Sequence, residues 1–319
     1  MKDNGFRLIL TGVFIFSVPC VYAQTAQEYY NHGPIYSNSA PTIEDLSKAI
    51  EMGSNLADAY YDRGLAWSQQ GKYVEAISDF TQAIKLNPND AEAYQGRGSA
   101  YAQEGNFTGA IADFNKIIEL KPEDAAAYYN RGLTYDKQGN FTGAISDFTK
   151  AIKINPQFAD AYHNRALTRE KQGHWAEAMA DLKQAIEINP SLTQAYYNRG
   201  IGYDREGDLS NAILDFTKAI TLNPNFAQAY SNRAGVYIQQ GNFFDARFDL
   251  TMAIQIDPKL AQAYNNRAIV YYQLKEYNKA WTDLNKAREL GYAVNPEFID
   301  MLKKALDQGQ FEVNKNGRS

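Results

Sequence analysis

Cysteine and histidine are nearly absent from this 319-residue sequence. Its one cysteine is Cys20, and its three histidines are His32, His163 and His174. A single thiol cannot close an intramolecular disulfide, and the histidines lack the spacing of metal ligands. We therefore expect no disulfide framework, no metal site and no cofactor.

Sequence signatures of catalysis and of nucleic-acid binding are also missing. There is no G-x-S-x-G nucleophile turn, no H-E-x-x-H zinc motif and no glycine-rich phosphate loop. The formal charge is −5, so the chain has no excess of basic residues to neutralise phosphates. We predict that the protein is not an enzyme and does not bind nucleic acid.

The sequence has no apolar run of the roughly 20 residues that a membrane-spanning helix needs. A shorter run, from Leu8 to Val18, follows two basic residues and precedes the small residue Ala23. This layout is typical of a secretory signal peptide. We expect a signal peptide over residues 1–23, cleaved near Ala23, and a periplasmic or secreted protein with no membrane span. A lipid anchor on Cys20 is the alternative.

Internal repetition is what the sequence has in abundance. Prolines recur at one constant interval, at Pro88, Pro122, Pro156, Pro190, Pro224 and Pro258. A fixed period of about 34 residues indicates a solenoid of stacked repeats. We number seven full repeats in chain order, 1 to 7, at residues 57–90, 91–124, 125–158, 159–192, 193–226, 227–260 and 261–294.

Each repeat begins with the pattern of an amphipathic helix. A tyrosine is followed four residues later by glycine or alanine, which places a large and a small side chain on one helix face. A glycine then permits the turn that ends this helix, and a second apolar pattern runs to the proline. In repeat 3 we expect Ala144 of the second helix to meet Gly132 of the first.

Repeat 3 contains the complete set of recurring residues, which are Tyr128, Arg131, Gly132, Tyr135, Ala144, Phe148 and Pro156. This set resembles the tetratricopeptide repeat (TPR) family, whose pattern is W-x2-L-G-x2-Y…A-x3-F…P. The resemblance covers residues 57–294. It implies an all-α, right-handed superhelical solenoid of antiparallel helix pairs that binds proteins or peptides along its concave surface. Arginine stands where the family usually has leucine.

Both ends of the repeat array depart from the pattern. Residues 24–56 resemble a degenerate first repeat, in which the segment from Ile43 to Ile50 forms the second helix. After repeat 7 we predict a capping helix over 295–308, with Asn295 at its start and Gly309 at its end. Its Phe298, Met301, Leu302, Ala305 and Leu306 would cover the last repeat, as a solenoid requires. Residues 309–319 are predicted to be a disordered tail.

An arginine and an aspartate recur at a constant separation in every repeat. A partly buried guanidinium needs a partner, and its planar fork fits a carboxylate at two points. We predict a structural Arg–Asp pair in each repeat, formed within one repeat or between two. The arginines are Arg63, Arg97, Arg131, Arg165, Arg199, Arg233 and Arg267, and the aspartates are Asp79, Asp113, Asp147, Asp181, Asp215, Asp249 and Asp283.

Three positions of the first helix vary between repeats and form our candidate ligand groove. In repeats 3 to 5 they hold an aromatic, an apolar and an acidic residue, at helical spacing. Such a surface would suit an extended or helical peptide with apolar anchors and basic residues. Alternatively, these side chains only pack between neighbouring helices. The groove residues are Tyr129, Leu133, Asp136, His163, Leu167, Glu170, Tyr197, Ile201 and Asp204.

Two further possibilities concern this face. The asparagines that precede the arginines match TPR proteins that hold a partner's terminal carboxylate, but the lysines that such binding needs are missing. We expect the asparagines to bond to the backbone or to one another. The sequence thus predicts a non-enzymatic interaction scaffold that binds a partner in the concave groove. A self-assembling spacer without a specific ligand is the alternative.

Overall fold

The computed structural model describes residues 42–53 and 56–316, with side chains described as far as Asp307. The predicted signal peptide, Cys20 and the first part of the degenerate repeat lie outside the described residues. So does the end of the predicted tail, at residues 317–319.

Within the described part, the chain forms sixteen helices and no strand. A single helix, α1, precedes the repeats, each repeat contributes two helices, and α16 follows them. The helices are α1 (Ile43–Glu51), α2 (Ala57–Gln69), α3 (Tyr73–Leu86), α4 (Ala91–Gln103), α5 (Phe107–Leu120), α6 (Ala125–Gln138), α7 (Phe141–Ile154), α8 (Ala159–Lys171), α9 (Trp175–Ile188), α10 (Thr193–Glu206), α11 (Leu209–Leu222), α12 (Ala227–Gln239), α13 (Phe243–Ile256), α14 (Ala261–Gln273), α15 (Tyr277–Glu289) and α16 (Pro296–Asn316).

The chain divides into two compact units, one up to Asp113 and the other from Phe114 onward. Inside each unit, consecutive helices pack against one another, both within a repeat and from one repeat to the next. This arrangement confirms the predicted fold class, an all-α solenoid of antiparallel helix pairs.

Each second helix places one large side chain in the core, at the same position of every repeat. The members of this set are completely or almost completely buried, and they are Phe80, Phe114, Phe148, Leu182, Phe216, Leu250 and Leu284. A Cβ atom on Gly132 would lie 2.8 Å from the ring of Phe148, so glycine lets that ring lie against the helix backbone. The three atoms nearest to that position belong to Phe148 and Asp147. In repeat 4 the two small residues at the positions of Gly132 and Ala144, Ala166 and Ala178, belong to one core cluster.

The turns inside the repeats use the left-handed backbone conformation. Gly139 ends α6 with a φ of 84°, and the side chain of Asn140 then caps the start of α7 by accepting from Gly143 N–H. Repeat 7 has no glycine at this point, and Lys275 takes the conformation instead, with a φ of 61°. A lysine incurs a steric penalty there that glycine avoids.

Helix α16 covers repeat 7 by packing Phe298, Leu302 and Leu306 against the last helix pair. Asn295 caps its start as expected, since Asn295 Oδ1 accepts from Glu297 N–H at 2.9 Å. The predicted end at residue 308 was wrong, because the helix continues through Gly309 to Asn316. An interior glycine costs only about 1 kcal/mol relative to alanine, which a helix of 21 residues tolerates. Met301 does not pack as expected and is 48% exposed.

Candidate functional site

All seven predicted Arg–Asp pairs are present, and each lies within one repeat. Arginine Nε and Nη2 donate to the two aspartate oxygens at 2.6–2.9 Å in every pair. No aspartate side chain in these pairs is more than 8% exposed. A carboxylate this deeply buried is stable in its charged form only because the arginine neutralises it.

The arginines also join successive repeats. In six of the seven, Nη1 donates to a side chain on the second helix of the preceding repeat or, for Arg63, on α1. The acceptors are Ser47, Thr81, Asn115, Thr149, Thr217 and Thr251. Arg199 is the exception, because Lys183 occupies this position and is itself a cation. Each Arg–Asp pair therefore lies within one repeat, and a separate bond from the same arginine connects six of the repeats to the preceding helix pair or to α1.

The tyrosine that opens each repeat completes the surroundings of the arginine. The guanidinium carbon lies 5.5–5.8 Å from the centre of this ring in all seven repeats. Such contacts between a cation and an aromatic face are favourable when both groups are partly desolvated. Two carboxylate bonds, a neighbouring hydroxyl or amide and a ring engage six of the seven guanidiniums, and Arg199 has the carboxylate bonds and the ring.

Burial and pairing act in opposite directions on the ionisation of these groups. The hydrogen bond to Asp147 raises the pKa of Arg131, while burial lowers it to a smaller extent. Burial raises the pKa of Asp249, and the guanidinium of Arg233 opposes this effect. Burial and pairing each shift the pKa in the direction expected for a buried ion pair, in which each member favours the charged form of the other.

The aromatic positions of the predicted groove contact side chains of their own repeat and of the following one. The ring of Tyr129 lies 4.7 Å from that of Phe158 and 5.8 Å from that of Phe148, between centres. Its hydroxyl accepts from Asn164 Nδ2 at 2.9 Å, and burial raises its pKa to about 12, with a smaller contribution from the charge of Asp160. Tyr129 is therefore mainly a packing residue.

His163 and Tyr197 contact an asparagine in the same way one and two repeats further on. Asn198 Nδ2 lies 2.8 Å from His163 Nε2, and Asn232 Nδ2 donates to the Tyr197 hydroxyl at 3.1 Å. Burial lowers the pKa of His163, which favours the neutral ring that can accept this bond. The asparagines thus bond to aromatic side chains of the preceding repeat, a role that we did not predict. Of these, Asn164 also bonds to the backbone, at Asp160 O.

The three acids of the predicted groove face groups on the next repeat. Asp136 accepts from the Thr168 hydroxyl at 2.9 Å and from the ammonium of Lys171, and Asp204 accepts from Gln239 Nε2 at 2.8 Å. Glu170 is half-buried, and burial raises its pKa while the charge of Arg205 opposes the rise. Each acid therefore already has a polar or cationic neighbour.

The apolar positions of the predicted groove remain partly open. Leu133 and Leu167 are half-buried, and Ile201 is 36% exposed. They occupy the same position on α6, α8 and α10, helices that hydrogen bonds from Asn164 and Asn198 hold side by side. The structure therefore brings the nine predicted groove residues onto adjacent helices, and Ile201 is the most exposed of the apolar three.

Where the structure describes the chain, no such side-chain bond joins the first helices of repeats 6 and 7. The position of Tyr129 and Tyr197 is held in repeat 6 by Ser231, whose buried hydroxyl has no hydrogen-bond partner among the described residues. Gly235, one turn further on, would meet nothing within 4 Å if it carried a Cβ atom. Short side chains therefore leave open space on this part of α12.

A cleft of about 310 Å³ lies beyond this point, between repeat 7 and α16. We call it the cap cleft. Apolar and aromatic side chains and three amides line it, and its lining is Asn265, Ile269, Tyr272, Gln273, Tyr292, Ala293, Asn295, Phe298 and Met301. Sequence analysis missed the cleft, although Asn265, Ile269 and Tyr272 occupy the three groove positions of repeat 7.

Among the residues that the structure describes, no cluster of three or more histidine, cysteine or acidic side chains could hold a metal ion. The buried carboxylates of the Arg–Asp pairs are distributed one to a repeat and do not meet in a common cleft. Within the same described ranges, no helix is both long and apolar enough to cross a bilayer.

Paired helices that recur at a constant interval, with an ion pair inside each pair and hydrogen bonds to the neighbouring pair, define a helical-repeat scaffold. Family models for the tetratricopeptide repeat and the TPR repeat match residues 57–90, 80–112, 98–139, 125–158, 159–192, 193–226 and 216–248. Together these matches span residues 57–248, more than half of the chain. The chain belongs to the tetratricopeptide repeat family, whose members are generally scaffolds for protein–protein interaction and typically not enzymes.

Solved structures agree on the fold. A tetratricopeptide repeat protein from Parabacteroides merdae is 20% identical, with a TM-score of 0.56 over 78% of this chain and 98% of the other. A chain of the Cut9–Hcn1 hetero-tetramer of the APC/C is 18% identical, with a TM-score of 0.59 over 83% of this chain and 52% of the other. Pseudomonas aeruginosa PilF is 15% identical, with a TM-score of 0.58 over 65% of this chain and 94% of the other. No curated protein matches the sequence.

Proposed function

We propose that the protein is a non-enzymatic scaffold that binds a segment of another protein on the first helices of repeats 3 to 5. The observation that supports this proposal is the row of Leu133, Leu167 and Ile201 at one position of α6, α8 and α10. A partner segment that crosses these helices would meet an apolar side chain at each of them, which is how spaced apolar anchors are recognised.

The other groove residues take supporting roles in this proposal. Tyr129, His163 and Tyr197 form a rigid floor, because hydrogen bonds to the following repeat fix them in place. Asp204 lies at the edge of the row and favours a partner with basic residues, since a carboxylate with one polar neighbour can accept further bonds. Asp136 contributes less to this preference, because Lys171 already pairs with it. The partner is therefore an extended or helical segment with apolar anchors and basic flanks.

Quantitative crosslinking and affinity capture from cells that make this protein would test the groove. A Leu133→Lys/Ile201→Lys variant places two cations among the apolar anchors and should lose, by at least about tenfold, the partners that the unaltered protein captures. Val74→Lys/Leu86→Lys is the matched control, because it adds the same charges to exposed apolar positions of α3. Identical partners for all three proteins would contradict the groove assignment.

We also propose that the protein is exported, with residues 1–23 removed near Ala23. The support comes from the sequence: two basic residues, a short apolar stretch and a small residue follow one another as in a signal peptide. N-terminal sequencing of the protein recovered from the cell envelope or the medium should begin close to Gln24. A mature chain that begins with a lipid-modified Cys20 would support the anchored alternative, and an intact Met1 would contradict export.

A second candidate function is self-assembly into a spacer, which an exposed apolar patch favours. Leu214 on α11 and Phe244 and Phe248 on α13 are 62–68% exposed. Neighbouring aromatic side chains this exposed indicate a contact surface. Sedimentation velocity should then show association that rises with concentration and disappears in Phe244→Ser/Phe248→Ser. A monomer at all concentrations up to about 100 µM, well above the roughly micromolar Kd of a weak specific complex, would rule the spacer out.

A further inference from the structure

The cap cleft differs from the proposed groove in one respect that points to a ligand. Asn265 lines it and is only 8% exposed, yet its side-chain oxygen accepts no hydrogen bond from the described residues. Its amide nitrogen has only a long contact of 3.4 Å with Asn266 Oδ1. Because Asn265 lines the cleft, its side-chain oxygen is an acceptor that a ligand in the cleft could use.

The walls of the cleft fit a flat side chain. Tyr272, Tyr292 and Phe298 present three aromatic rings, and Tyr272 and Phe298 are held edge-to-face with ring centres 5.7 Å apart. Ile269 and Met301 add aliphatic surface, and Met301 is free to adapt because it is 48% exposed. An aromatic ring that enters this space would contact other rings in the offset or edge-to-face arrangements that such pairs prefer.

The charge and the volume of the cleft restrict which ligands it could bind. No charged side chain is among the residues lining the cleft, so an ionised group would lose its hydration there without compensation. A volume of about 310 Å³ is at the small end of ligand sites, and it suits one bulky side chain better than a larger cofactor. Gln273 and Asn295 line the cleft as well and provide amides for the backbone of a peptide.

We propose that the cap cleft binds an aromatic side chain that carries one hydrogen-bond donor, a tryptophan or tyrosine exposed on a partner protein. The ring enters between Tyr272, Phe298 and Met301, and its N–H or O–H donates to Asn265 Oδ1. None of the cleft residues belongs to the groove of repeats 3 to 5. A result that contradicts one of the two proposals therefore leaves the other untouched.

Methyl NMR with ¹³C-methyl methionine tests this directly, with N-acetyl-tryptophanamide as the neutral probe. The aromatic ring of a bound probe should shift the Met301 methyl signal progressively and to saturation. Half-saturation should come at a concentration on the order of 1 mM, as expected for so small a ligand. The methyl signals of Met179 and Met252, which do not line the cleft, should stay in place. No shift at Met301, or equal shifts at all methionines, would overturn the proposal.

Two substitutions check the geometry. Ile269→Trp fills the cleft from inside and should weaken probe binding by more than about tenfold, as steric exclusion from a site does. Ser99→Trp is its matched control, because Ser99 occupies the same helix position in repeat 2 and is exposed. It should leave the Met301 response unchanged. Unchanged Met179 and Met252 signals in both variants would show that the fold is retained.

Asn265→Leu separates hydrogen bonding from packing. It should weaken N-acetyl-tryptophanamide about five- to tenfold, the effect of one lost hydrogen bond, and leave N-acetyl-phenylalaninamide nearly unaffected. N-acetyl-lysinamide should not bind either protein. Equal losses for the tryptophan and phenylalanine probes, or binding of the lysine probe, would overturn the assignment of Asn265 and of the neutral aromatic ligand.

Discussion

The first helices of repeats 3 to 6 and those of repeats 6 and 7 are joined differently. In the first group, Tyr129, His163 and Tyr197 each reach an asparagine on the following repeat. Between repeats 6 and 7 the same position holds Ser231, which is too short to do so, and its hydroxyl remains without a partner among the described residues. One side chain's length thus decides whether adjacent helices are bonded or leave space.

The Arg–Asp pairs do not share this difference, since they occur in all seven repeats. They fix the two helices of a repeat to each other, whereas the aromatic and asparagine bonds connect one repeat to the next. A surface that binds a partner can therefore vary along the first helices without loss of the ion pairs. This separation explains how repeat 7 can keep the fold and still contain a cleft.

Removing an arginine should have the largest effect on stability. Arg131→Leu leaves Asp147 buried without its counter-charge, and we expect a loss of about 3–5 kcal/mol in the free energy of unfolding. Arg199→Leu should lose about 1 kcal/mol less, because Arg199 has no Nη1 bond to the preceding repeat. Urea unfolding followed by circular dichroism would measure both.

The double variant Arg131→Leu/Asp147→Leu is the control for this prediction. It removes the buried charge as well, so it should regain much of the stability that Arg131→Leu loses. If Arg131→Leu alone has the stability of the unaltered protein, Asp147 is not held by the arginine and the structural role of the pair is wrong.

Shortening an aromatic side chain should have the next largest effect. Tyr197→Ser reproduces in repeat 5 what Ser231 does in repeat 6, and it removes a ring that lies 4.6 Å from Phe226 and 6.0 Å from Phe216. We expect a loss of about 2–3 kcal/mol, below the roughly 3–5 kcal/mol typical of fully buried rings, because Tyr197 is half-buried.

Ser231→Ala is the matched control for Tyr197→Ser. It removes a buried hydroxyl that has no partner among the described residues, so stability should stay the same or rise slightly. Equal losses from the two variants would mean that repeats 5 and 6 do not differ in the way that the structure indicates.

The fold could be read from the sequence because each of its signals is local and repeated. The spacing of the prolines gave the repeat length, and the residues around Gly132 and Phe148 gave the helix pairs. The partner of each arginine was also predictable, since one aspartate recurs at a constant distance. The bond from arginine Nη1 to the preceding helix pair could not be predicted, because the facing position varies among serine, threonine, asparagine and, at Lys183, lysine.

The groove remains a prediction, but the structure shows that its aromatic positions are more buried than the sequence suggested. We took variation between repeats as a sign of exposure, whereas Tyr129 varies and is still largely buried by its neighbours. A usable signal was present: an asparagine follows Tyr129, His163 and Tyr197 at the same distance along the chain in each case. The cap cleft could not be predicted, because it depends on where the segment after repeat 7 places α16.

The smallest predicted effect is a dependence on pH at His163. Burial lowers its pKa in the folded protein below the ordinary 6.5, so the unfolded chain takes up a proton first as the pH falls. The stabilising contribution of the neutral ring is complete above pH 6.5 and is lost as the pH falls through the lowered pKa. The free energy of unfolding should fall less between about pH 7.5 and about pH 5 in His163→Gln than in the unaltered protein. An equal fall in unfolding free energy in His163→Gln and in the unaltered protein would contradict this assignment.

The central claim is that hydrogen bonds join the first helices of repeats 3 to 6 but not those of repeats 6 and 7. Double-mutant cycles of unfolding free energy test it most directly. The cycle of Tyr197→Phe and Asn232→Ala should give a coupling of about 0.5–1.5 kcal/mol. The cycle of Ser231→Ala and Asn266→Ala should give a coupling within about 0.3 kcal/mol of zero. Equal couplings in the two cycles, or none between Tyr197 and Asn232, would contradict the account.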